Sequence, residues 1–310
     1  VFYILEIIQN RIEFLKTAIR IEEISKGFSS DKKYVVFFSD DINYLLRIGS
    51  IKDEERRNTE FQVLSDMKKI GVRAPKPIEK GSIEELGVCY SLFSYIEGED
   101  AKSLLPTYSV QEQYEIGYEA GKDLARMHSY PAPKVIKPWY DRAMKKQFNY
   151  LEAYKACGIK INNDEKIIQF IENNADYIKY RPNCLQHDDF HLENIIVQDK
   201  QYVGMIDFNG FDWGDPLHDY VKVALIQRET SVPFSIGLIQ GYFENNIPKV
   251  FWMLYSIYVA MTIFSTVVWS IRVAPEQLDK MIERISIVLD DHKNFELLIP
   301  TWYKPDLLFI

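Results

Sequence analysis

Cysteine is scarce in this chain. Cys89, Cys157 and Cys184 are the only three in 310 residues, and no two stand in a Cys-x-x-Cys spacing. That excludes a disulfide framework and a thiolate metal centre, and it suits a reducing cytoplasm. No basic stretch leading into a short apolar one opens the sequence, so no secretory signal is expected. There is no internal repeat and no low-complexity tract, which excludes solenoids and disordered arrays. Basic charge is in short supply too: 37 Lys and Arg stand against 45 Asp and Glu, a net charge of −8. Without a basic stripe to release counterions from a phosphate backbone, nucleic acid is excluded as a partner.

Charge itself is missing from residues 251–271, a length that could span a bilayer. Tyr258, Thr262, Ser265 and Thr266 nevertheless fall on one side of a helical wheel. A hydroxyl-bearing stripe predicts a helix buried in a helical lobe or lining a cleft, not a membrane span.

What is present is concentrated in one place. Between residues 186 and 221, eight acids (Asp188, Asp189, Glu193, Asp199, Asp207, Asp212, Asp215 and Asp219) face Lys200 alone, nearly the whole net charge. Residues 187–194 read His-Asp-Asp-Phe-His-Leu-Glu-Asn, and the apolar run Val203, Gly204, Met205, Ile206 then leads into Asp207 and Phe208. Phosphoryl transfer from a nucleoside triphosphate needs few protein groups: a carboxylate to take the hydroxyl proton, and an amide oxygen with a second carboxylate to hold magnesium. Asp189, Asn194 and Asp207 supply that set in that order. Leu185, then Ile195 to Val197, then the run before Asp207 read as short buried strands. Such a meander puts Asp189 and Asn194 on one loop and Asp207 at the end of a neighbouring strand. The plain alternative is an acidic surface loop with a hydrogen-bonded Asn. His187 and His191 are expected to be structural, and Asp212 with Trp213 to form a solvated turn. The local acidity weakly favours a cationic substrate.

These residues resemble the signature of the aminoglycoside phosphotransferase family, His-Gly-Asp-Phe-His-Pro-Gly-Asn followed by Ile-Asp-Phe or Ile-Asp-Trp. Asp188 stands where Gly is usual, Leu192 where Pro is, and Glu193 where the second Gly is; the three chemical positions match. The departures touch loop shape, not chemistry. Gly214, Asp215, Pro216 and Asp219 resemble the family's downstream element, in which Asp219 would accept backbone N–H groups of the catalytic loop.

Toward the N-terminus, residues 2–19 have the spacing of an amphipathic helix, and 22–25 and 34–38 read as strands around the small-residue loop 26–31. A loop of this kind can bring backbone N–H groups to phosphates, which nominates Ser29 and Ser30. A third strand at 44–48 carries Arg47, and a helix at 57–70 carries Glu60. The kinase arrangement requires such a cation–carboxylate pair at the α- and β-phosphates; the alternative for Arg47 is a surface ion pair. Prolines at 75 and 77 force an extended chain, and 88–93 is a strand. Residues 94–98 read alone are an edge strand and turn. The resemblance makes them an interlobe hinge in which backbone groups of Ser94 and Ile96 bind the base, with Phe93 behind it. A helix over 111–128 has Ile116, Ala120, Leu124 and Met127 on one face, and His128 near its end reads as a cap or hydrogen-bonding group.

The resemblance implies an α+β, two-lobed, protein-kinase-like fold: an N-terminal nucleotide-binding lobe at 1–93, a hinge at 94–98, and a mostly helical lobe at 99–310 with the catalytic loop and acceptor cleft. It implies a small-molecule kinase using Mg2+ and ATP or GTP, of aminoglycoside type. Other acceptors (macrolide, choline, methylthioribose or a related metabolite) and a nucleotide-binding pseudoenzyme are the alternatives. A cytoplasmic monomer or weak dimer, with no membrane and no nucleic acid, completes the expectation. A protein kinase is disfavoured, since the stretch between Asp207 and Asp215 is too short for an activation loop.

Overall fold

The computed structural model describes residues 2–25, 31–39 and 42–309. The chain divides into two compact units, 1–97 and 98–310, and the fold is α+β.

The first unit is one antiparallel sheet with helices. Its elements are α1 (Phe2–Arg11), β1 (Arg20–Ile24), β2 (Lys32–Phe37), β3 (Asn43–Ser50), α2 (Glu54–Lys69), β4 (Pro77–Ile83) and β5 (Val88–Ser94), and the sheet order is β1-β2-β3-β5-β4. Period-two alternation gives the sheet two different faces. Tyr34, Val36, Leu46, Ile48 and Leu92 pack with Ile8, Ile12 and Leu15 in one core. On β3 the alternate residue Arg47 lies opposite Ser91 of β5, and Phe93 of the same β5 face meets Phe61 of α2 at a ring-centroid distance of 5.9 Å. The single helix expected over 2–19 breaks after Arg11 into a separate 3-10 turn, Glu13–Thr17, whose Leu15 joins the core. Strand β4 has no counterpart in the sequence reading: it is a polar edge strand, alternately exposed, and its one fully buried residue is Ile83.

The second unit holds α3 (Ala101–Leu104), α4 (Val110–His128), α5 (Trp139–Ala156), α6 (Asp164–Asn174), α7 (Arg228–Thr230), α8 (Val232–Tyr242), α9 (Lys249–Val273) and α10 (Leu278–Asp291). Between them run β6 (Glu99–Asp100), β7 (Cys184–Gln186), β8 (Ile195–Gln198), β9 (Gln201–Met205) and β10 (Asp212–Gly214), paired as β6-β8-β9 and β10-β7. A capping box between Ser109 and Glu112 starts α4, and Ile116, Ala120, Leu124 and Met127 are all buried. Its other face carries Gly117 and Gly121 against Gly237 and Gly241 of α8. A Cβ at Gly121 would stand 2.2 Å from the Leu238 carbonyl oxygen, and one at Gly241 2.0 Å from that of Tyr118. Only glycine on both helices allows so close a crossing. Helix α9 is long and apolar enough to cross a membrane, yet 67% of its most apolar window is buried within the unit. Its hydroxyl stripe is satisfied locally, with Thr262 donating to the Tyr258 carbonyl and Ser265 to that of Thr262.

Candidate active site

Strand β7 ends at Gln186 and delivers residues 187–194 as a loop, closed by a 3-10 turn, Leu192–Asn194, from which β8 departs. The His191 imidazole starts that turn by accepting from the Glu193 N–H at 3.2 Å. Asn194 uses its side-chain N–H2 on the Asp189 carbonyl at 3.0 Å and approaches the Asp189 carboxylate at 3.4 Å. The amide nitrogen being spent this way, Oδ1 is the atom Asn194 has left for a cation. The Asn194 carbonyl accepts from the Ile206 N–H at 2.9 Å, so Asp207 follows directly on a rung that begins at Asn194. Three residues separated by up to eighteen positions are thereby gathered through one loop and one strand pair.

Both Asp188 and Asp207 sit in the left-handed region, at φ 61° and 67°. Asp tolerates that conformation better than most residues. At 188 it explains why glycine is usual in the resembled signature, and the Asp188 N–H is fixed there by donating to Asp219 at 2.8 Å. Asp219 also accepts from the His187 N–H at 2.8 Å and faces His128 Nε2 at 3.0 Å. The second-layer role expected of Asp219 is therefore present. Burial raises the Asp219 carboxyl, but the hydrogen bond and charge of His128, with the His187 contacts, outweigh it and hold the group below its ordinary value. His128 is no helix cap: it is buried, and Tyr242 donates to its Nδ1 at 3.0 Å. His187 donates from Nε2 to the Ile206 carbonyl at 2.9 Å, and burial depresses its basicity, so it is a neutral scaffold joining the two strands of the site.

Asp189 is the half-exposed member of the set. Its Oδ1 takes Lys222 at 2.8 Å and its Oδ2 faces His191 at 3.2 Å. Burial raises this carboxyl; the His191 hydrogen bond and the Lys222 charge prevail and keep it ionised far below the usual range. Lys222, 33 residues downstream, was invisible as a site residue in the sequence. Asp212 and Trp213 form no solvated turn. They belong to β10, Trp213 is buried, and Arg142 from α5 grips Asp212 at 2.5 and 2.7 Å. Asp215 is enclosed by Arg181 at 2.6 and 2.9 Å and by the Tyr258 hydroxyl at 2.6 Å, a buried anchor for the segment.

In the first unit Arg47 meets Glu60, as expected, and also Asp31 at 2.9 Å. Arg57 joins both acids, touching Glu60 at 3.5 Å, and the four side chains are between 1% and 11% exposed. Arg47 is thus no surface ion pair. Asp31 and Arg57 had no signal beyond their neighbours. The Ser94 N–H donates to the Lys76 carbonyl at 2.8 Å and is not open to a base; Ile96 is half-buried. Ser29 and Ser30 lie outside the described residues. Among the described residues no group of three or more His, Cys, Asp or Glu is spaced to hold a metal. Magnesium fits that finding, since it takes one or two protein oxygens and completes its octahedron with phosphates and water.

A family profile described as "Phosphotransferase enzyme family" matches residues 20–250. No curated protein sequence matches the chain. Among solved structures, the gentamicin complex of APH(2")-IIa is similar with a TM-score of 0.66 at 17% identity, over 96% of this chain and 98% of that one. ADP-bound aminoglycoside phosphotransferase APH(2'')-Ib gives 0.64 at 17%, over 96% and 99%. The GDP complex of wild-type aminoglycoside 2'-phosphotransferase-IIIa gives 0.68 at 13%, over 93% and 97%.

Proposed function

The chain belongs to the phosphotransferase enzyme family and is a phosphotransferase with hydroxyl acceptors, and from that premise we propose that it moves the γ-phosphate of ATP or GTP to a hydroxyl of a small molecule in the cytoplasm. One observation carries the reading: Asn194 is bonded to Asp189 while its carbonyl holds Ile206, the residue that leads from β9 into Asp207. In this assignment Asp189 accepts and orients the acceptor hydroxyl. Asn194 Oδ1 and the Asp207 carboxylate would hold magnesium, which when bound would neutralise charge on the phosphates. Arg47, positioned by Glu60 and Asp31, takes the α- and β-phosphates, and Ser29 and Ser30 are assigned to the phosphates as well. The Ser94 carbonyl and the Ile96 N–H receive the base. Because the transition state of phosphoryl transfer is loose, the task of Asp189 is chiefly to aim the hydroxyl.

An aminoglycoside acceptor is the first class supported by the named neighbours. A second class, a hydroxylated metabolite without multiple charges, is favoured by a specific observation: Asp189, Glu193, Asp212 and Asp215 each already carry a Lys or Arg partner. A coupled nucleotide-turnover screen across aminoglycosides, macrolides and small metabolic alcohols tests the function. Turnover that depends on acceptor and disappears in Asp189→Asn supports it. Nucleotide binding without transfer to any acceptor would leave a pseudoenzyme. Asp207→Ala should weaken magnesium-dependent nucleotide binding, and an unchanged magnesium titration would remove that residue from the site.

A further inference from the structure

Resting on the transfer reading above, we propose that Lys222 sets the charge class of the acceptor, admitting a compound that is neutral or anionic beside the reacting hydroxyl and rejecting a polycation. Lys222 Nζ lies 2.8 Å from Oδ1 of Asp189, the carboxylate an acceptor hydroxyl has to reach. The other oxygen already faces His191 at 3.2 Å and Asn194 at 3.4 Å. An incoming hydroxyl therefore approaches a carboxylate whose open side is shared with an ammonium group. That ammonium has three donors and spends one on Asp189. A hydroxyl, carboxylate or phosphate next to the reacting hydroxyl can take another.

An ammonium substituent at the same place meets a like charge. Lys222 is only 25% exposed, so water and salt screen the repulsion poorly. Two acids of the segment are already paired with other cations: Arg142 occupies both oxygens of Asp212, and Lys102 holds Glu193 at 2.7 Å. Asp188 faces His218 at 3.6 Å, and burial raises its carboxyl above the ordinary value. The acidity that marks this segment in the sequence is answered by cations drawn from elsewhere in the unit.

The test uses kanamycin, a hydroxyl-rich polycation, and its fully N-acetylated derivative, which keeps the hydroxyls and loses the charge. Both are titrated calorimetrically into the magnesium–ADP-loaded protein, the Lys222→Met variant and the Lys222→Arg variant. Lys222→Met should shift the affinity ratio toward kanamycin by about tenfold or more, while Lys222→Arg keeps the wild-type ratio. A ratio unmoved by Lys222→Met overturns the assignment, as does no gain in kanamycin binding from an undetectable start. An equal shift in both variants overturns it as well, because charge would then not be the cause. Binding is read without turnover, so a failure of the transfer function appears in the acceptor screen and not here.

Discussion

Four charged side chains in the first unit and the acidic loop of the second manage charge in different ways. Arg47, Arg57, Asp31 and Glu60 neutralise one another in a closed set, none more than 11% exposed. The loop instead keeps Asp189 at 47% side-chain exposure and pairs it with groups from distant positions, Lys222 and His191. A sealed set resists rearrangement and suits a cation that must stand ready for phosphate. A half-open carboxylate suits a group that must meet a changing partner. The difference teaches that, under the proposed assignment, burial goes with holding and exposure with reacting.

Breaking the open side should give the largest effect. Asp189→Ala is expected to lower kcat by roughly 10²–10⁴-fold while nucleotide affinity stays within about threefold. Retained turnover above about a tenth of wild type would remove Asp189 from its role. The sealed side should respond in stability as well as in binding. Arg47→Ala leaves Asp31 and Glu60 sharing Arg57, and should cost about 3 kcal/mol in urea unfolding and raise the nucleotide KM about tenfold. Normal kinetics there would mean that the set is purely structural.

Asp219 sharpens the contrast, since it is sealed yet serves the open loop. Asp219→Ala strands the His187 and Asp188 N–H groups and His128, so a loss of about 3 kcal/mol is expected, with kcat falling further than KM rises. A smaller effect comes from acid. The folded-state carboxyl of Asp219 is depressed, so its contribution is complete above the ordinary carboxylate range and fades as pH falls through it. Between about pH 5 and 3 the wild-type urea midpoint should drop more steeply than that of Asp219→Ala. Parallel slopes would show that other carboxylates govern acid unfolding.

Legibility in the sequence followed chain distance. Asp189, Asn194 and Asp207 lie within nineteen positions and are joined by one loop and one strand pair, so spacing alone nominated them. Arg47 and Glu60 followed from the offset between a strand and the next helix. Lys222 and the His128–Asp219 contact, 91 residues apart, depend on how helices return to the loop, which no local pattern encodes. Strand β4 escaped because an edge strand buries little and so lacks an apolar alternation. The glycine crossing did leave a trace, Gly117 and Gly121 in one helix and Gly237 and Gly241 in another at the same four-residue interval. Each pair means little until the other is seen to face it.

That crossing has a consequence for exchange of amide hydrogens with solvent. Where two backbones touch with no side chains between them, neither helix can open a turn without dislodging the other. Amides of α4 and α8 should therefore rank among the slowest to take up deuterium. His128 and Tyr242, which stand at the far ends of these helices and meet at 3.0 Å, inherit that stillness. Four absent side chains thus set the clock for the carboxylate that holds the catalytic loop.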